Sequence, residues 1–137
     1  MNLFKETTLT QTDAATATGT TEIASTPVDT AEFDGVAFIF SLGSFNAGNY
    51  VKVQGCLTVG GTYVDIAGSK FTPTVDATGL ILTVERSPAY RFYKVDVVRA
   101  GVTSIISAIF ALLYRTKSAP LATNKGSQSV GAVTGTA

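Results

Sequence analysis

Asp34–Leu42 (DGVAFIFSL) alternates strictly, with Val36, Phe38, Phe40 and Leu42 on one side and Ala37, Ile39 and Ser41 on the other. A repeat of two is the spacing of a strand, and four large apolar side chains on one face make that face a core face. A helix would put residues 38 and 40 about 200° apart and scatter the pattern. The segment therefore sets the class: a β-protein.

The same period recurs on the C-terminal side of this strand. Over residues 50–59, Val51, Val53, Leu57 and Val59 share one face, and Lys52, Gln54 and Thr58 the other. Gly60-Gly61 then leads into Thr62–Ala67 as a hairpin turn, because glycine accepts the positive φ of tight turns. Leu80, Leu82 and Val84 line one side of 79–86, which Pro88 closes. Tyr93, Val95 and Val97 point inward along 90–99, framed by Arg91 and Arg99. Ile105–Tyr114 (IISAIFALLY) reads as a strand with Ile106, Phe110, Leu112 and Tyr114 on one face and Ile105, Ile109 and Leu113 on the other. Both of its faces are apolar, so both call for cover. A sandwich covers only the inner face, which leaves the other for an arm or a second subunit. Ile105, Ile109, Leu113 and Arg115 are accordingly the candidate subunit-contact residues. About six short strands separated by turns predict a β-sandwich or jelly-roll-like domain.

Around this body (34–116) the composition changes. Residues 1–33 are rich in Thr, Ala and Ser and read as an extended arm, with one short strand near Thr21–Ser25. Residues 117–137 return to small polar residues with Gly and Pro and read as an extended C-terminal tail. Charge follows the same division. One base and six acids give residues 1–34 a net −5; seven bases and two acids give residues 85–137 a net +5; the whole chain sums to zero. Attraction between the two ends, within a chain or between neighbours, follows from that asymmetry.

Chemistry is scarce. There is no histidine, so the commonest general base and metal ligand is missing. Cys56 stands alone, which excludes an intrachain disulfide, a cysteine metal cluster and a Cys/His nucleophile. It reads as a small half-buried strand residue. Asp65 and Asp76 read as turn-supporting residues, not metal ligands. The glycine-rich pieces 43–48 and 60–61 precede no helix and lack the phosphate-loop pattern. Arg86, Tyr90, Arg91, Phe92, Tyr93 and Lys94 interleave bases with aromatics, as a single-strand nucleic-acid platform would. Zero net charge argues instead for one strand alternating core aromatics with solvated charges, and against a nucleic-acid partner. No apolar run approaches a membrane span. Lys5-Glu6 behind Met1 does not fit a signal sequence, so synthesis in the cytoplasm is expected. No enzyme activity and no cofactor are expected.

The layout resembles small virion proteins of tailed bacteriophages. A Thr-rich start leads into Asp29–Phe38 (DTAEFDGVAF), then a hairpin, then the aromatic-basic strand Ala89–Val95 (AYRFYKV). An apolar strand, Ala108–Tyr114, and a Gly135-Thr136-Ala137 end follow. That group includes trimeric β-sandwich cement, or decoration, proteins seated on the outer capsid. The resemblance implies a structural protein with the major capsid protein as partner, a homotrimer as the favoured oligomer, and the capsid surface as its place. The alternative reading is a receptor- or glycan-binding module of a tail fibre or spike, or another head–tail component. Phe45 and Tyr50 beside a Gly/Asn loop would be the exposed aromatics of such a module.

Overall fold

The computed structural model describes residues 7–19, 22–43, 48–74, 78–99, 104–115 and 132–134. Phe45, Asp76 and the tail outside 132–134 lie outside the described residues. The chain is all-β: two sheets pack face to face, and no helix occurs among the described residues. The β-sandwich expected from the alternation is present.

The first sheet is built around β5 (Gly35–Leu42). On one side it pairs along its whole length with β8 (Thr78–Glu85), antiparallel, from Gly35↔Glu85 to Leu42↔Thr78. On the other side it pairs with β11 (Ile109–Tyr114), from Phe110↔Ile39 to Tyr114↔Gly35. A short strand, β10 (Ser104–Ile106), meets Leu42 of β5 just before β11 begins. Outside these run β1 (Thr7–Asp13), antiparallel to β11, and β2 (Thr16–Gly19), antiparallel to β10. At the far side β12 (Ala132–Thr134) lies parallel to β8.

The second sheet centres on β9 (Phe92–Arg99) and its partner β6 (Asn49–Cys56), which pair from Asn49↔Arg99 to Cys56↔Phe92. β7 (Val64–Asp65) returns along β6 as the expected hairpin, through Gln54↔Asp65 and Gly55↔Val64. On the other edge of β9 sit β3 (Ile23–Ala24) and β4 (Val28–Asp29). The N-terminal segment is thus extended. It borders the first sheet over 7–19 and the second over 23–29.

The core forms where the two alternations meet. Val36, Phe38, Phe40 and Leu42 of β5, with Leu80, Leu82 and Val84 of β8, face Val51 and Val53 of β6 and Tyr93, Val95 and Val97 of β9; all are buried. Tyr93 has its ring in this core, and its hydroxyl accepts a hydrogen bond from the Ser87 N–H at 3.0 Å. Burial raises its pKa. Tyr90 meets it edge to face at 6.1 Å. Gly55 is required beneath Tyr90, since a Cβ there would come within 2.8 Å of the ring.

Two expectations from the alternation do not hold. Leu57 and Val59 do not continue the face of Val51 and Val53. β6 ends at Cys56, and both side chains stand in the turn, 61% and 60% exposed. A period-two pattern running past the last paired residue has no sheet to define a face. The faces of Ile105–Tyr114 also sort differently. Ile106 is buried with Ile109, Ala111 and Leu113, not with Phe110 and Leu112. The cause is a break at Ser107-Ala108. Ser41 N–H donates to Ser107 Oγ at 2.8 Å and Ser107 N–H to Ser41 O at 3.1 Å, an irregularity that reverses the side-chain parity.

This packing separates neighbouring positions on one strand. Phe38→Ala should cost about 3–5 kcal/mol of unfolding free energy, because it leaves a cavity between the sheets. Ile39→Val, on the opposite face, should cost about 0.5–1.5 kcal/mol. Urea unfolding of both variants is the measurement, and equal losses would contradict the assigned facing.

Candidate assembly surface

The side of the first sheet turned away from the core is also apolar. Residues directly opposite one another on paired strands share a face. The register therefore aligns Leu9, Leu112, Ala37 and Thr83 in one row across β1, β11, β5 and β8. The next row is Gln11, Phe110, Ile39 and Ile81. Leu9 is 61% exposed, while Phe110, Leu112, Ile39 and Ile81 are half-buried. Neither row contains a charged residue. Solvated faces of antiparallel sheets ordinarily carry polar side chains at such positions.

The adjoining row is Thr7, Tyr114, Gly35 and Glu85. The Tyr114 hydroxyl lies against Gly35, where any Cβ would collide with it. That hydroxyl is buried and makes no hydrogen bond among the described residues. Burial, with the Glu85 and Asp34 carboxylates nearby, pushes its pKa up to about 12. The ring thus extends the apolar surface over the glycine.

The four residues singled out from the sequence are not brought together. Ile109 and Leu113 are interior, 1% and 6% exposed, and pack within the core cluster. They cannot serve as a subunit surface on a folded sandwich. Ile105 is 54% exposed on β10, and Arg115 is exposed just past the other end of β11. Arg115 donates from Nε to the Glu32 carbonyl at 2.6 Å, and its guanidinium lies 5.6 Å from the Phe33 ring centroid. The outward residues are Phe110 and Leu112, with Leu9, Ile39 and Ile81 from three other strands. Their one sequence signal was an isoleucine at the outward position of an alternating strand, at Ile39 and again at Ile81. Grouping them needed the register.

No family model, curated protein or solved structure matches this chain.

The other candidates are engaged elsewhere. In the aromatic-basic strand Tyr90 and Tyr93 belong to the core. Arg91 grips Asp29 through Nε at 2.8 Å and Nη2 at 2.7 Å, which lowers the Asp29 pKa. This pair joins the acidic and basic ends within one chain, although both partners are about half exposed and such pairs contribute only ~0–1 kcal/mol. Lys94 Nζ stands over the Tyr63 ring at 4.5 Å, and Lys70 Nζ over the Tyr50 ring at 4.2 Å. Asp65 holds Lys52 and Gln54. Cys56 is buried and free. Among the described residues no three His, Cys, Asp or Glu side chains are grouped to hold a metal.

A buried hydroxyl without a partner costs its desolvation, about 1–3 kcal/mol. Tyr114→Phe should therefore leave the melting temperature unchanged or raise it. Gly35→Ala should lower it, through the collision with the same ring. Thermal melts of the two variants test the arrangement.

Proposed function

We propose that this chain is a structural protein of a tailed-phage virion, a capsid cement (decoration) protein that acts by bridging coat subunits. The observation that carries the reading is the uncharged apolar face of Leu9, Leu112, Phe110, Ile39 and Ile81 on a sandwich whose core is already complete. A contiguous apolar patch of this kind marks an interaction surface. The layout shared with small virion proteins supplies the setting: the outer capsid, with the major capsid protein as the main partner.

The occupant of the face is a second copy of the chain, in a homotrimer. In a threefold ring this face packs against a different surface of the neighbouring copy, and its two uncharged rows oppose no charge there. Burying such side chains contributes about 25 cal/mol per Å² of apolar surface removed from water. Oligomers built this way present several identical attachment points to the coat, so that weak individual contacts add as avidity.

The test combines sedimentation with capsid binding. The wild type should sediment as a trimer at micromolar concentration and co-purify with intact capsids at a fixed ratio to coat protein. Phe110→Glu places a charge in the centre of the patch and should yield a folded monomer that binds capsids more than tenfold more weakly. A monomeric wild type that also fails to join capsids would reject the reading.

A further inference from the structure

Asp96 lies mid-way along β9, paired across to Lys52 of β6 on one side and to Ala24 of β3 on the other. It is only 3% exposed, and its Oδ1 has no hydrogen-bond partner among the described residues. Buried carboxylates are ordinarily matched by donors. Here the nearest cation is shared. Lys52 Nζ sits 3.0 Å from Asp65 and 3.8 Å from Asp96 Oδ2, so its short contact belongs to Asp65. The register sets Ala24 opposite Asp96, so Glu22, two residues earlier, lies on the same face diagonally across from Asp96, and the group that closes on it from the N-terminal side is another acid. Two carboxylates are both acceptors and can bond only through a shared proton.

Glu22 immediately precedes β3. From there residues 23–30 run as a strap along the edge of β9. Ser25 N–H donates to Val95 O at 2.8 Å, Val95 N–H returns to Ser25 Oγ at 2.9 Å, and Thr30 N–H donates to Arg91 O at 3.0 Å. The strap's paired pieces are only two residues long, so its hold on β9 is weak enough for one side-chain contact to matter.

We propose that Glu22 and Asp96 form a proton-held latch, which closes the 22–30 strap over the edge of β9 in mildly acidic solution and loosens it as the proton leaves. The described charged groups around Asp96 enter the balance. Glu22 opposes ionisation, whereas Lys52 and Lys94 favour it, and Asp65 draws Lys52 away. Burial first, then Glu22, raise the Asp96 pKa to about 6, against an ordinary value of 3.8. A carboxyl whose folded pKa is raised contributes stability that is fully present below its unfolded pKa. That contribution is lost as pH rises through the folded value. The latch is therefore strong near pH 4 and largely spent above pH 6.

Hydrogen exchange on the intact chain reads the latch directly. After correction for intrinsic rates, protection of the Ile23 and Ser25 amides should fall about tenfold between pH 5 and pH 7.5. The β5 and β8 amides should change far less. Asp96→Asn should remove the pH difference, and Glu22→Gln, which leaves Asp96 buried but gives it a donor, should shrink it; both should leave the strap closed at pH 7.5. Glu22 is exposed, so its variant carries the test even if Asp96→Asn folds poorly. Equal strap protection at both pH values, or a loss spread evenly over both sheets, would overturn the proposal.

Discussion

The double pairing of β5 is the constraint from which the rest of the sandwich follows. β8 and β11 occupy its two edges, so its backbone is committed on both sides, and its side chains can only point into the core or out to the opposite face. The inner set, Val36, Phe38, Phe40 and Leu42, fixes the level at which the second sheet must lie. β6 and β9 answer with Val51, Val53, Tyr93, Val95 and Val97. Because a one-residue slip would turn each of these sets outward, the hydrophobic pattern holds the register as firmly as the hydrogen bonds do.

The outer side obeys no such constraint, and there the chain departs from the usual apolar-in, polar-out economy. Ile39 and Ile81 sit side by side on the two best-paired strands, and Phe110, Leu112 and Leu9 extend the surface across two more. An apolar outer face does nothing for the isolated sandwich. It becomes useful when another surface meets it, which is why the assembly reading rests on this face and not on a loop or cleft.

How far the sequence could be read depended on whether side chains or backbone carried each feature. β5, β8 and β9 bury one face completely, and their alternation announced them. The hairpin of β6 and β7 falls where Gly60-Gly61 marked it, but not through positive φ, which neither takes; at Gly61 a Cβ would come within 2.5 Å of Cys56 Sγ and Thr58 Oγ1. β1 left no such trace: in Thr7–Asp13 the one large apolar side chain, Leu9, is exposed, and the strand is held by its ladder to β11. Thr-rich sequence paired only through its backbone looks the same as an unpaired arm. The reversal of faces at Ser107-Ala108 was hidden for a related reason. The irregularity depends on Ser41, more than sixty positions away. Among the candidate contact residues, Ile105 and Arg115 are exposed, but Ile109 and Leu113 took the interior once the parity changed. The buried Asp96 was legible only as one charge in a basic stretch, since neither Glu22 nor Lys52 is near it in sequence.

The ladder between β1 and β11 also sets an order of events in time. Thr7 pairs with Tyr114, so β1 waits for a partner made more than a hundred residues later. β5 likewise gains its second neighbour only when β11 is made. Among the described residues little local pairing exists to hold the nascent chain meanwhile, apart from the β6–β7 hairpin. Topologies dominated by such distant partners pass over their entropic barrier slowly. The Thr-rich, weakly apolar N-terminal segment suits that delay, because a waiting strand with almost no greasy surface offers little for other unfinished chains to stick to.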